Sequence, residues 1–155
     1  MTPLFKKLNF KDHSHIVSIN SSQTFKQELQ KMESITHIVA DTVHIKEIEF
    51  ILCFVTTQSE IDTFISENNH KFIGDTIIWL CYPKASSKRY TCEFNRDTGF
   101  HVLGTYNLEP VRQVSIDEDW SALRFRKVEY IKTITRRESY ALTNEAKKRT
   151  TQKGK

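Results

Sequence analysis

Apolar residues recur along this chain at two alternating periods. His15-Ile16-Val17-Ser18-Ile19-Asn20 is a short apolar run that breaks at Asn20-Ser21-Ser22, and it predicts a first strand. The hydroxyls at the break suit a helix N-cap, and Phe25, Leu29 and Met32 follow at i, i+4 and i+7, one buried helical stripe. Thr36 to Asp41 predicts a second strand, while Val43 to Ile48 shows no clear period and fits a turn. Glu49 to Val55 is almost continuously apolar, as in a central strand covered on both faces.

Thr57 and Glu60 have capping-box spacing, and Ile61, Phe64 and Ile65 supply the buried side of a helix that ends in Asn68-Asn69. Thr76 to Tyr82 is another continuous strand, stopped by Pro83. Beyond the loop Lys84 to Lys88, Asn95 or Asp97 caps a predicted third helix carrying Phe100, Leu103 and Tyr106; Gly99 and Gly104 each weaken it by up to about 1 kcal/mol. Pro110 separates that helix from a strand at Val111 to Ile116. Leu123-Arg124-Phe125-Arg126 then alternates at period two, so Asp117 to Ser121 reads as the turn of an antiparallel hairpin.

Strands alternating with helices predict a single three-layer α/β domain over residues 1–135. Its sheet is mainly parallel and Rossmann-like, of five or six strands, with an antiparallel C-terminal hairpin and helices on both faces. Residues 136–155 lose the hydrophobic period and predict a basic, largely flexible C-terminal tail.

Composition narrows the classes. At 38% hydrophobic and 27% charged residues the chain is of ordinary globular make-up, and no apolar run approaches the roughly 20 residues of a membrane helix. Met1 to Lys7 lacks a signal-peptide core, so a cytoplasmic protein with no membrane partner is expected. Cys53, Cys81 and Cys92 have no C-x-x-C spacing and fit buried thiols in a reducing compartment. His13 and His15 form the only close histidine pair and lack a third ligand nearby, so no metal site is expected.

Charge is unevenly spread. Met1 to Leu123 holds 12 Lys and Arg against 16 Asp and Glu, whereas Arg124 to Lys155 holds 11 against 3. The body is mildly acidic and the positive charge sits at its end. Charge alone gives a polyanion only weak, salt-sensitive attachment, and the tail has no recognition helix and no interleaved aromatic beyond Tyr140, so nucleic acid is not an expected partner.

An open parallel sheet binds ligands beyond the carboxyl ends of its strands. Three loops fall there: Asn20 to Ser22, Thr56 to Ser59 and Tyr82 to Lys88. The first has no G-x-G-x-x-G, although Asp41 stands where a ribose-binding carboxylate belongs, and no Walker loop occurs, so no cofactor is expected. The third offers two ammoniums and two hydroxyls, which makes Lys84, Ser87 and Lys88, joined by Arg124, the candidate ligand-binding set; a solvated turn is the plainer reading of the same loop.

Asp117, Glu118 and Asp119 could act in acid/base or metal chemistry, and equally could cap local amides. Trp120 suits a hairpin anchor, and Ser121 lies in no nucleophile motif. Arg124 and Arg126 project opposite Leu123 and Phe125. If a helix covers that face one of them needs a carboxylate, and Asp117 or Asp119 is nearest in sequence.

Three blocks, Ile78-Trp79-Leu80-Cys81-Tyr82-Pro83-Lys84 with Ser86-Ser87, Asn95-Arg96-Asp97-Thr98-Gly99, and Val111 through Asp117-Glu118-Asp119-Trp120-Ser121-Ala122-Leu123-Arg124-Phe125-Arg126, together resemble the uncharacterised bacterial family catalogued as domain of unknown function 3052. That resemblance implies a small bacterial cytoplasmic protein and attaches no activity or cofactor to it. The sheet order is also similar to the later part of a class I methyltransferase, whose sheet ends in an antiparallel hairpin; the chain departs from that pattern at the glycine-free first loop.

The expected function is a non-enzymatic binding or interaction domain for an anionic small molecule or protein segment. The alternatives are an enzyme on a degenerate methyltransferase-like scaffold, with Asp117 or Asp119 as acid/base, and a weak polyanion binder acting through the tail.

Overall fold

The computed structural model describes residues 1–95 and 98–131. The tail 136–155 and the last residues of the expected domain therefore lie outside the described residues, as does Asp97. The chain runs α1 (Pro3–Lys7), β1 (His15–Ile19), α2 (Gln23–Gln30), β2 (His37–Val39), β3 (Phe50–Phe54), α3 (Gln58–Asn68), β4 (Ile77–Pro83), α4 (His101–Gly104), β5 (Leu108–Ser115) and β6 (Trp120–Lys127), with single 3-10 turns at Asn69–Lys71 and Val128–Tyr130.

One six-stranded sheet has the order β2-β1-β3-β4-β6-β5. β1 to β4 pair in parallel, β6 is antiparallel to both β4 and β5, and β5 therefore runs the same way as β4. This is the mainly parallel α/β sheet with an antiparallel C-terminal hairpin that the alternating pattern predicts. The second strand of the hairpin is the one inserted beside β4. Burial explains the choice: β6 is covered through Trp120-Ser121-Ala122-Leu123, whereas β5 leaves Arg112 and Gln113 exposed and contains Pro110. A proline that cannot donate to a ladder is tolerated on an edge strand, and the register shifts between Pro110 and Arg112.

Two apolar layers flank the sheet. On one side Ile61, Phe64 and Ile65 of α3 pack with Leu80, Tyr82, Phe100, Leu123 and Phe125. On the other, Phe5, Leu8, Phe25 and Leu29 pack with Trp79, Cys81, Trp120 and Ala122. Alternate residues of one strand thus serve opposite layers, as the pleat requires.

Three elements differ from the sequence expectation. The lead Met1 to Lys7 contains α1, opened by Thr2 Oγ1 accepting from Phe5 N at 3.2 Å with Pro3 in the first turn. Five residues are too few for a periodic signal. The third helix shrinks to the four residues of α4, since Gly99 and Asn95 belong to a turn before it. β5 begins at Leu108 and passes through Pro110, and Trp120 and Ser121 belong to β6, not to the turn. Among the described residues no helix is long and apolar enough to cross a membrane.

Candidate functional site

The carboxyl ends of β1 to β4 and the hairpin turn of β5 and β6 meet at one edge of the sheet, and beyond β4 that edge opens into a crevice of about 980 Å³. The loop from Lys84 to Asn95 arcs over it. At one end Lys84 N donates to Asp119 O at 2.8 Å and Ser87 Oγ to Asp119 Oδ1 at 2.8 Å. At the other, Glu93 N donates to Thr56 O at 2.8 Å, and its carboxylate accepts from Gln58 N at 2.7 Å, in the first turn of α3.

Tyr82, Tyr90 and Phe94 give the crevice apolar surface, while Ser86, Ser87, Gln113 and Ser121 give it hydroxyl and amide groups. Lys84 is the only charged residue among the described residues that line it. Its Nζ donates to Ser115 Oγ at 2.6 Å and makes no ion pair among the described residues. A cation held at a rim by a neutral hydroxyl keeps its attraction for an anion.

The structure sorts the expected site residues unequally. Lys84, Ser87 and Ser121 share the crevice, but Lys88 is exposed on the loop and does not line it. Asp117 caps the hairpin turn: its Oδ1 accepts from Asp119 N at 2.8 Å and Trp120 N at 2.9 Å, and its Oδ2 from Thr24 Oγ1 at 2.9 Å. Asp119 is buried and spent on Ser87. Neither carboxylate lines the crevice, so neither is placed for acid/base chemistry there. Trp120 is 5% exposed and packs between Phe54, edge-to-face at 5.0 Å, and Tyr90, tilted at 4.9 Å.

Arg124 is not brought to this corner. It pairs across from Trp79, four residues along β6 from the Trp120–Pro83 pair, which is about 13 Å along the strand. Its side chain belongs to the face shared by Trp79, the face opposite Tyr82 and Ser121, and it lines a separate hollow of about 310 Å³ at the amino edge. The arginine partner is also not the one nearest in sequence. Arg126 makes a fork to Asp75, with Nε to Oδ1 at 2.9 Å and Nη2 to Oδ2 at 2.6 Å.

The sequence reading missed Tyr90, Cys92, Phe94 and Gln113. The signal was aromatic residues inside an otherwise polar loop, and Gly99, where an added Cβ would meet the Phe94 ring at 2.4 Å. The cysteines are free: burial and Glu60 push Cys53 up to about 12, and burial raises Cys81 and Cys92 as well, so these thiols stay protonated.

No family model matches the chain, and no curated protein does. Solved structures do. A SAM-dependent methyltransferase from Aquifex aeolicus is similar over 80% of this chain and 87% of its own, at 9% identity and a TM-score of 0.55. An uncharacterised protein from Listeria monocytogenes serotype 4b matches over 90% and 74% at 12% identity (TM-score 0.49). The N-methyltransferase NodS from Bradyrhizobium japonicum WM9 matches over 80% and 91% at 16% identity (TM-score 0.48). The first likeness establishes a Rossmann-like, methyltransferase-type fold.

Fold alone does not install a cofactor. At the switch point between β1 and β3 a nucleoside cofactor needs backbone free of Cβ atoms, open first-turn amides and a carboxylate for the ribose. Here the turn is Asn20-Ser21-Ser22, with Asn20 at φ +55° and Ser18 and Ser21 hydroxyls bonded at 2.6 Å. Ser22 Oγ takes the Phe25 amide, Asp41 Oδ1 takes the Val43 amide at 3.0 Å, and Glu93 covers the start of α3. The glycine-free turn denies S-adenosylmethionine a close backbone approach, although Asp41 is exposed with only Oδ1 taken by the Val43 amide.

Proposed function

We propose that the protein is a cytoplasmic binding domain for a small anionic molecule with a planar apolar body, seated in the carboxyl-edge crevice. Lys84 would meet the anion, and Tyr82, Tyr90 and Phe94 would cover the body. The observation that carries the reading is the crevice itself, open, partly aromatic and with one lysine as its only charge among the described residues. Kinship with domain of unknown function 3052 belongs to the same proposal and adds no activity to it.

Anilinonaphthalene sulfonate, an aromatic anion whose fluorescence rises in such sites, tests it. Wild type should bind one equivalent saturably, Lys84→Ala should weaken binding about tenfold, and Lys88→Ala should leave it unchanged. Equal affinity in wild type and Lys84→Ala removes the reading. The rival is an enzyme on this scaffold, favoured by the antiparallel strand inserted beside β4. Saturable heat on titrating S-adenosylmethionine would support it; no heat supports the binding domain.

A further inference from the structure

The hollow at the amino edge is built by the loop after α1, from Asn9 to His13, with Asp75, Ile77, Arg124 and Arg126. It lies at the opposite end of the strands from the crevice, so nothing about it depends on what the crevice binds. Three cations and two carboxylates line it. Asp75 is taken by Arg126 through two hydrogen bonds, and Asp12 is exposed on the rim beside Lys11. The charge of Arg124 is left over.

Arg124 is half-buried, and among the described residues it makes no ion pair and its Nε–H, sealed from solvent, has no hydrogen-bond partner. Burial first, then repulsion from Arg126 and Arg112 set against the pull of Asp75, hold the guanidinium below its ordinary range. A half-buried charge with no counter-charge costs free energy, and an oxyanion in the hollow offsets that cost. His13 adds to the same surface. Its Nδ1 accepts from Lys11 N at 3.3 Å, so the neutral ring carries its proton on Nε2 as a donor.

We infer that this hollow binds a tetrahedral oxyanion, inorganic phosphate or a phosphomonoester group, against the solvent-facing part of the Arg124 guanidinium, with Lys11 at its rim. The cations arrive from two elements, a loop and a strand. Such an arrangement needs oxygens pointing in more than one direction, which phosphate offers and a planar carboxylate does not.

The test is titration of the protein, labelled with nitrogen-15 on arginine, with inorganic phosphate at constant ionic strength. One Nε–H resonance, absent from Arg124→Lys, should shift saturably as the guanidinium takes the anion. Arg124→Lys should weaken phosphate binding about tenfold, and Lys11→Glu, an exposed change that spares the fold, should weaken it at least as much. Acetate should bind more weakly than phosphate. The inference is overturned if no saturable shift occurs, if both variants bind as wild type does, or if acetate binds as tightly as phosphate.

Discussion

Trp79 shows how a single side chain can tie two elements together. It is fully buried in the middle of β4, and its Nε1–H donates to Leu8 O at 2.9 Å, just beyond α1. Because Leu8 is itself fully buried, removing the donor strands a carbonyl away from water. Trp79→Phe should therefore cost about 3 kcal/mol, the lost bond and the lost volume together, read as a lower urea midpoint at unchanged m. A loss under about 1 kcal/mol would mean that this bond does not hold α1 to the sheet. The tryptophan was legible as a core residue from the apolar run around it. Its partner was not, because 71 residues separate donor and acceptor.

At the scale of elements, α3 depends on its first turn. Glu60 Oε1 accepts from the backbone and hydroxyl of both Thr56 and Thr57, at 2.9 to 3.2 Å, while Thr57 Oγ1 accepts from Glu60 N. Glu60→Ala should cost about 1–2 kcal/mol, and Glu60→Gln should recover part of it; equal midpoints for Glu60→Ala and wild type in denaturant would remove the claim. This cap was readable from spacing alone, since all its members lie within five residues. The hairpin was readable only halfway. Alternation at Leu123 to Arg126 gave the two faces correctly, and Arg124 and Arg126 do lie opposite Leu123 and Phe125. Alternation says nothing about how far along the strand a residue sits from a loop elsewhere, so Arg124 was joined to Lys84 when the register puts it at the other end.

Across the whole molecule, acidification should act in two stages. Burial holds His13 and His15 below their ordinary 6.5 despite the nearby Glu49 carboxylate, and His15 Nε2 accepts from Glu49 N at 3.1 Å only while that nitrogen is unprotonated. The unfolded chain therefore takes up protons first as pH falls below about 6.5, and stability present above that value is lost. Glu49 is held below its ordinary 4.5 by the Ser14 hydroxyl and amide, although burial opposes them. At Glu60 burial pushes the other way, and the bonds from Thr56 and Thr57 outweigh it. Both carboxylates contribute stability above about 4.5 that is lost as pH falls through their lower folded values. Melting temperature against pH should show both declines, and the double variant His13→Gln/His15→Gln should flatten only the first. An unchanged first decline in that variant would place its origin elsewhere.

Local physics let the sequence determine the class of fold, the central strands, the cap of α3 and the loop at Lys84, because period, capping spacing and an X-Pro stop each act within a few residues. Tertiary structure alone decided that β6 lies inside β5, that Asp75 and not Asp117 or Asp119 answers Arg126, and that two cationic places lie at opposite ends of one sheet. Those outcomes depend on register and strand order, which are set by how the whole chain buries its apolar faces at once.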